Sequence, residues 1–310
     1  MYRLKFTTIT PLHISNGEVL DQNFHYITFN ENIYKIDHLK FAKIIVKRER
    51  IDFSSDITTK KIEGWIKKYQ IDLIDNAAIY SVKVHESFQT HLDNPRATGK
   101  RQIIEFINSN GKFYIPASSI KGALLTILGL NSLGINPQDP KYQDRVVFYD
   151  SEYISSEYFS VYRTENRPPQ NNLICLDPDI SFSLIMQKNG KFKRDEFLQK
   201  LRHHTIMQLE NLNREVAKFK SNRAGKLKKA DLFLRSIERI NTLASREENI
   251  INIGYGGGSW FKVVNGIIPK FKSKDPTKRG QLEAAHSSFS FTIDQELVHI
   301  GWCKLEIEEL

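Results

Sequence analysis

One segment constrains the fold more than any other. Lys112 to Ile115 reads as a short strand, Pro116 ends it, and Ser118 opens a helix. In that helix Ile120, Ala123, Leu124, Ile127 and Leu128 recur at the spacing of one apolar helical face. A strand that turns directly into a packed helix requires a sheet with helices laid against it. Further strands are predicted at Tyr2 to Thr10, Phe24 to Phe29, Ile33 to Ile36, Ala78 to Val84, Ile103 to Ile107, Val146 to Tyr149, Tyr158 to Arg163, Leu173 to Leu176, Ser181 to Met186, Ser288 to Ile293 and Val298 to Ile307. Helices are predicted after Asp37, over about 57–69, over 194–219 and over 230–245. Their order is not a strict strand–helix alternation, which indicates an α+β fold.

At 310 residues the chain is long enough for two domains, and we expect a division into 1–145 and 146–310. The first half carries a polar excursion at 85–101, the second a helical insertion at 194–245 and a glycine-rich loop at 254–258. No apolar run is long enough to span a membrane, and the N-terminus alternates rather than forming a signal peptide's apolar core. Cys175 and Cys303 make neither a disulfide framework nor a zinc site and read as reduced core thiols. The expectation is a cytoplasmic protein. Lys and Arg outnumber Asp and Glu by 45 to 36, a net charge of +9, which favours polyanionic partners.

The strand-to-helix segment is also the strongest site candidate. Ser118 or Ser119 suits an N-cap. Lys121 places a positive charge in the first turn, against the helix dipole, and Gly122 costs about 1 kcal/mol inside a helix. Both choices make sense if an anion sits at the helix start and another backbone comes close; the bland reading is a solvated lysine and a packing glycine. In Gly254-Tyr255-Gly256-Gly257-Gly258 the amides can converge on an anion, with Lys262 and later lysines near, although a structural turn explains the same glycines. From Arg214 to Arg239 nine basic residues face three acids, a solvated helix face or an RNA track. Arg223, Lys226, Lys228 and Lys229 lie in its centre, and Arg96, Lys100 and Arg101 form a smaller basic group. His13 has a specified setting, read as a structural histidine more readily than a general base. His203 and His204 are adjacent and diverge on a helix, so they cannot ligate one metal. No metal, cofactor or catalytic residue is assigned.

Taken in order, these segments resemble the CRISPR-associated RAMP superfamily. Thr10-Pro11-Leu12-His13-Ile14-Ser15-Asn16-Gly17-Glu18 is similar to its opening motif. Glu105-Phe106-Ile107 and Tyr114 to Ala123 resemble its central block, Gly254 to Trp260 its glycine loop, and Gly301 to Leu305 its closing motif. Ser15, Ala117, Leu125 and Ser259-Trp260 depart from the usual pattern. Within the superfamily the match is best to a subunit of the type III-A Csm effector complex. The resemblance implies ferredoxin-like, RRM-type cores, and motif and charge together give candidate RNA contacts at His13, Arg96, Lys100, Arg101, Ser118, Ser119, Lys121, Gly122, Arg223, Lys226, Lys228, Lys229, Gly256, Gly257, Gly258 and Lys262. It implies as partners the 3′ region of the CRISPR RNA, neighbouring Csm backbone subunits and a host trimming nuclease. It also implies a non-catalytic protein, with a metal-independent repeat endoribonuclease or another backbone subunit as alternatives.

Overall fold

The structure is a computed structural model. It describes residues 1–49, 51, 57–93, 101–127, 146–165, 171–188, 193–221, 230–246, 248–257, 270–272, 282–284, 291–293 and 297–310. Period-two patterning sets the first strand, Tyr2–Thr8. Leu4, Phe6 and Thr8 point inward, while Arg3 and Lys5 face out and meet Glu308 and Glu306 at 3.4 Å. This strand is central to an antiparallel five-stranded sheet. It lies between Ser181–Lys188 and Trp302–Glu309, with Ile250–Asn252 and Val146–Phe148 at the two edges. Phe6 stacks on its register partner Phe182, with ring centroids 5.2 Å apart.

A second, nine-stranded sheet is mixed. Its main path runs Ser15–Leu20, Ile103–Phe106, Asn171–Leu176, Phe159–Glu165, Ala78–Val84, Asn32–Ile36 and Tyr26–Phe29. Two of its pairings, Asn171–Leu176 with Ile103–Phe106 and Phe159–Glu165 with Ala78–Val84, are parallel. Both sheets draw strands from either side of residue 145, so hydrogen bonding does not separate the two expected halves. One contiguous core joins the sheets, with Leu4, Phe6, Phe106, Phe113, Phe159, Leu184 and Leu305 among its buried members.

Several helices lie where apolar periodicity places them; Gln70–Ala77 and Glu86–Leu92 are additional. Asp37 caps His38–Arg48 by accepting from the Leu39 and Lys40 amides at 2.9 and 3.0 Å. Thr59–Lys68 and Gln70–Ala77 pack beside it. The insertion forms two helices, Arg194–Ser221 and Ala230–Ser245. Leu209 and Ile240 from them pack with Ile250 and Trp302.

Two expectations are corrected. Residues 85–93 are not an excursion: Glu86–Leu92 is a helix, and Phe88 is completely buried. Ser87 and His91 are buried beside it, so one face of this short helix docks on the core. The predicted last strand is broken into Leu297–His299 and Trp302–Glu309 by Gly301, which has φ +93°. A Cβ at Gly301 would sit 2.4 Å from the Ile253 carbonyl, so only glycine fits.

Candidate nucleic-acid interface

Three of the sequence motifs meet at one junction. After the first strand, Ile9 and Thr10 donate to the Trp302 carbonyl, and the Trp302 amide donates to the Thr10 hydroxyl at 3.0 Å. Leu12 and Leu176 exchange backbone hydrogen bonds in both directions. Gly301 donates to the Pro11 carbonyl and Tyr255 to the His13 carbonyl, each at 2.8 Å. Gly254, at φ +77°, lies so close that an added Cβ would come within 2.3 Å of the His13 oxygen. The segment Thr10 to Ile14 therefore ties together the sheets, the glycine turn and the closing motif.

His13 is inside this junction and fully buried. Its Nδ1 hydrogen-bonds the Ile174 carbonyl at 2.7 Å, and its ring meets Tyr255 and Phe106 edge-on. Burial lowers its pKa to about 4, the Ile174 carbonyl opposing only weakly, so the imidazole is neutral at pH 7. A side chain with no exposed surface contacts no RNA here. His13 is a structural residue, and the expectation of RNA contact at this position is corrected. Gly256 and Gly257 lie in the short 3₁₀ turn Gly254–Gly257 that closes the junction. Gly258 and Lys262 lie outside the described residues.

The fourth motif faces outward. The helix runs Ala117–Ile127, so Ser118 and Ser119 fall inside its first turn rather than capping it. The anion at its start is the protein's own: Asp150 Oδ1 accepts from the Ala117 amide at 2.7 Å. Ser151 binds Ile115 from both sides, its hydroxyl accepting from the Ile115 amide and its amide donating to the Ile115 carbonyl. Ile120 and Leu124 are buried, whereas Ser118 and Gly122 are exposed and Lys121 is half-buried. Lys121 makes no ion pair among the described residues. A Cβ on Gly122 would meet no described atom within 4 Å. The close approach expected at this glycine is therefore not made by any described atom.

The remaining basic candidates divide. The Arg101 guanidinium is half-buried and donates to Gln22 Oε1 at 3.1 Å and to the Leu92 carbonyl at 3.0 Å, so it braces the fold. Arg96, Lys100, Arg223, Lys226, Lys228 and Lys229 lie outside the described residues. The structure brings together Ser118, Ser119, Lys121 and Gly122 on one helix start and places His13 and Arg101 elsewhere.

A second group was not legible as a site. Asp177 accepts from the Ser160 and Tyr162 hydroxyls, both at 3.0 Å. Burial raises its pKa against the pull of these hydrogen bonds and of nearby Lys83 and His85. The Tyr162 ring stacks on His85 at 4.2 Å, and the Lys83 backbone pairs with Ser160 across parallel strands. These residues are separated by up to about a hundred positions in the chain, and only strand pairing assembles them. Among the described residues no group of three or more His, Cys, Asp or Glu is placed to hold a metal.

The family model of the RAMP superfamily matches residues 5–262. The chain belongs to the RAMP superfamily. Like other RAMP proteins it joins sheets and helices in a mixed fold consistent with a ferredoxin-like, RRM-type core. It is 25% identical over 311 aligned residues to CRISPR system Cms protein Csm5 of Streptococcus thermophilus, covering 89% of this chain and 85% of that one. It is 27% identical over 172 residues to the protein of the same name from Enterococcus italicus, covering 46% and 49%. A chain of a cryo-EM structure of a Csm–crRNA–target RNA ternary complex superposes with a TM-score of 0.65 at 13% identity. The match covers 99% of this RAMP protein and 100% of that chain, and it shows a shared fold. These similarities overturn the strict non-enzyme expectation. That expectation came from the resemblance together with the lack of a recognisable catalytic motif, and the similarity to Csm5 proteins conflicts with it. Among the described residues no helix is long and apolar enough to cross a membrane.

Proposed function

We propose that this RAMP protein is an RNA-binding and RNA-processing subunit of a type III-A Csm effector complex. In this reading it holds the 3′ region of the CRISPR RNA and takes part in its maturation, in the cytoplasm, beside the complex's backbone subunits. The observation that carries it is the similarity to a Csm5 protein over 89% of this chain and 85% of that one. The outward face of Ala117–Ile127 supports it: Lys121, which makes no ion pair among the described residues, stands in the helix's first turn against the helix dipole. The test is binding of CRISPR RNA by the purified protein across a salt series. Each neutralised phosphate of a single strand adds about 0.7 to the magnitude of the log–log salt slope. A steep slope supports the reading, and a salt-independent affinity contradicts it.

A second, compatible reading makes the chain its own nuclease, cleaving repeat RNA without metal. The Asp177, Tyr162 and His85 group favours it, because a carboxyl raised by burial beside a histidine and a lysine is suited to proton transfer. His13 is not the base, since no solvent reaches it. Cleavage of repeat RNA in chelator, abolished by Asp177→Asn or His85→Ala, supports this reading. No cleavage, or cleavage indifferent to both changes, removes it.

A further inference from the structure

The stretch from Val146 to Tyr158 differs from the rest of this basic protein. It contains Asp150, Glu152 and Glu157 and no Lys, Arg or His, in a chain whose net charge is +9. All three acids are exposed. Between them stand Tyr149, Tyr153 and Tyr158, which keep 48%, 61% and 43% of their surface in solvent. Val147 beside them is 41% exposed.

Three features of the fold hold this surface in place. Val146–Phe148 is an edge of the five-stranded sheet and, among the described residues, pairs only with Ser181–Lys188. Asp150 and Ser151 are fastened to the start of the Ala117–Ile127 helix. Ile154 bridges Phe113, so the Tyr153 ring lies edge-on to Tyr114 with the Lys112 ammonium 5.3 Å from its centroid. The aromatic rings are therefore presented on a fixed support.

We propose that this edge is a docking surface for a basic protein, an Arg- or Lys-bearing face of another subunit of the assembly. The inference rests on the reading that the chain works inside such a complex. Large exposed tyrosines supply contact area at little entropic cost and are over-represented where interfaces carry most of their energy. A sheet edge with a single partner strand among the described residues offers backbone groups to another strand. Asp150 is held by the Ala117 amide, while Glu152 and Glu157 attract guanidinium and ammonium groups, so charge on this edge favours a basic protein.

The test uses the full chain in the assembled complex, captured through a tag on a different subunit. Two variants are compared with wild type: Tyr149→Ala/Tyr153→Ala, and Glu152→Arg/Glu157→Arg. The expected result is about tenfold or greater loss of the chain from the captured complex in both variants. Melting temperatures stay unchanged, because these side chains are exposed. Affinity of the isolated tyrosine variant for a single-stranded oligoribonucleotide should equal that of wild type. Full retention of both variants overturns the proposal. So does a drop in RNA affinity of the tyrosine variant with assembly intact, which would make the rings a base-stacking platform. Failure of the wild-type chain itself to assemble would overturn the functional reading, and the docking surface with it.

Discussion

The junction around Thr10 to Ile14 and the start of the Ala117–Ile127 helix both carry motif residues, yet they do opposite things. At the junction every distinctive residue is consumed by the fold. Gly254 and Gly301 let two backbones touch, His13 is sealed under Tyr255 and Phe106, and Thr10 anchors Trp302. At the helix start the fold makes fewer demands. Asp150 already satisfies the Ala117 amide, Lys121 makes no ion pair among the described residues, and a Cβ added at Gly122 would meet no described atom within 4 Å. A motif glycine therefore marks close backbone approach at Gly254 and Gly301 but not among the described atoms at Gly122, and the helix start with Lys121 is the candidate for contact with RNA.

The comparison breaks most readily at Gly254. Gly254→Ala should cost at least about 3 kcal/mol, because the new Cβ meets the His13 oxygen and the positive φ adds strain. Denaturant unfolding checks it. A loss under 1 kcal/mol, roughly the difference between ordinary surface substitutions, would mean the junction is loose.

Glu105, one residue before Phe106 of the core, tests the same locked region through charge. It is buried and accepts from Lys35 and Tyr80 at 2.6 Å and from Asn16 at 2.7 Å. Burial alone would raise its pKa, but these hydrogen bonds together hold it below the usual carboxylate value. Glu105→Gln should destabilise by about 3 kcal/mol, since it leaves Lys35 without its partner. The depressed carboxyl contributes stability that is present above the unfolded carboxylate range and lost as pH falls through its folded value. His13 acts in the same direction. Its folded pKa of about 4 lies below the ordinary 6.5, so its contribution is full above that value and fades as pH falls toward 4. Stability should thus decline progressively on acidification from near pH 6.5 through His13, and below the unfolded carboxylate range more shallowly in Glu105→Gln. A flat profile over that range would contradict the buried, neutral His13.

The helix start is sharpened by two milder changes. Lys121→Ala should leave the melting temperature unchanged, weaken RNA binding several-fold and reduce the salt slope by about 0.7. Unchanged binding would return Lys121 to a solvated position. Gly122→Ala should stabilise the protein by up to about 1 kcal/mol, because helix propensity rises and the Cβ meets nothing described. If the space is reserved for a partner, the same variant binds RNA or assembles less well. Gain in stability without loss of either would show the space to be unused.

Local features were legible from the sequence because their causes are local. The hairpin Tyr26–Phe29 to Asn32–Ile36 turns through Asn30 and Glu31, both at positive φ, and Asp37 caps the helix that follows it. The two long helices announce themselves by length and periodicity. What was not legible depends on distant partners. Thr10 and Trp302 are 292 positions apart, and His13 and Ile174 are 161 apart. No window of sequence distinguishes a glycine that touches His13 from one that touches a phosphate. The Glu86–Leu92 helix was missed because two of its three buried residues, Ser87 and His91, are polar and give no apolar periodicity beside Phe88. The Asp177 group was missed because Asp177 reads only as a loop acid until strand pairing brings Tyr162 and Lys83 beside it.

The central claim is that the protein holds and helps mature the 3′ region of the CRISPR RNA, and end-mapping of guide RNA tests it most directly. Guides are recovered from complexes assembled with and without this subunit, and both ends are sequenced. The expected result is an unchanged 5′ end and a 3′ end that becomes longer or more heterogeneous when the subunit is absent. Identical 3′ ends in the two preparations would contradict the account.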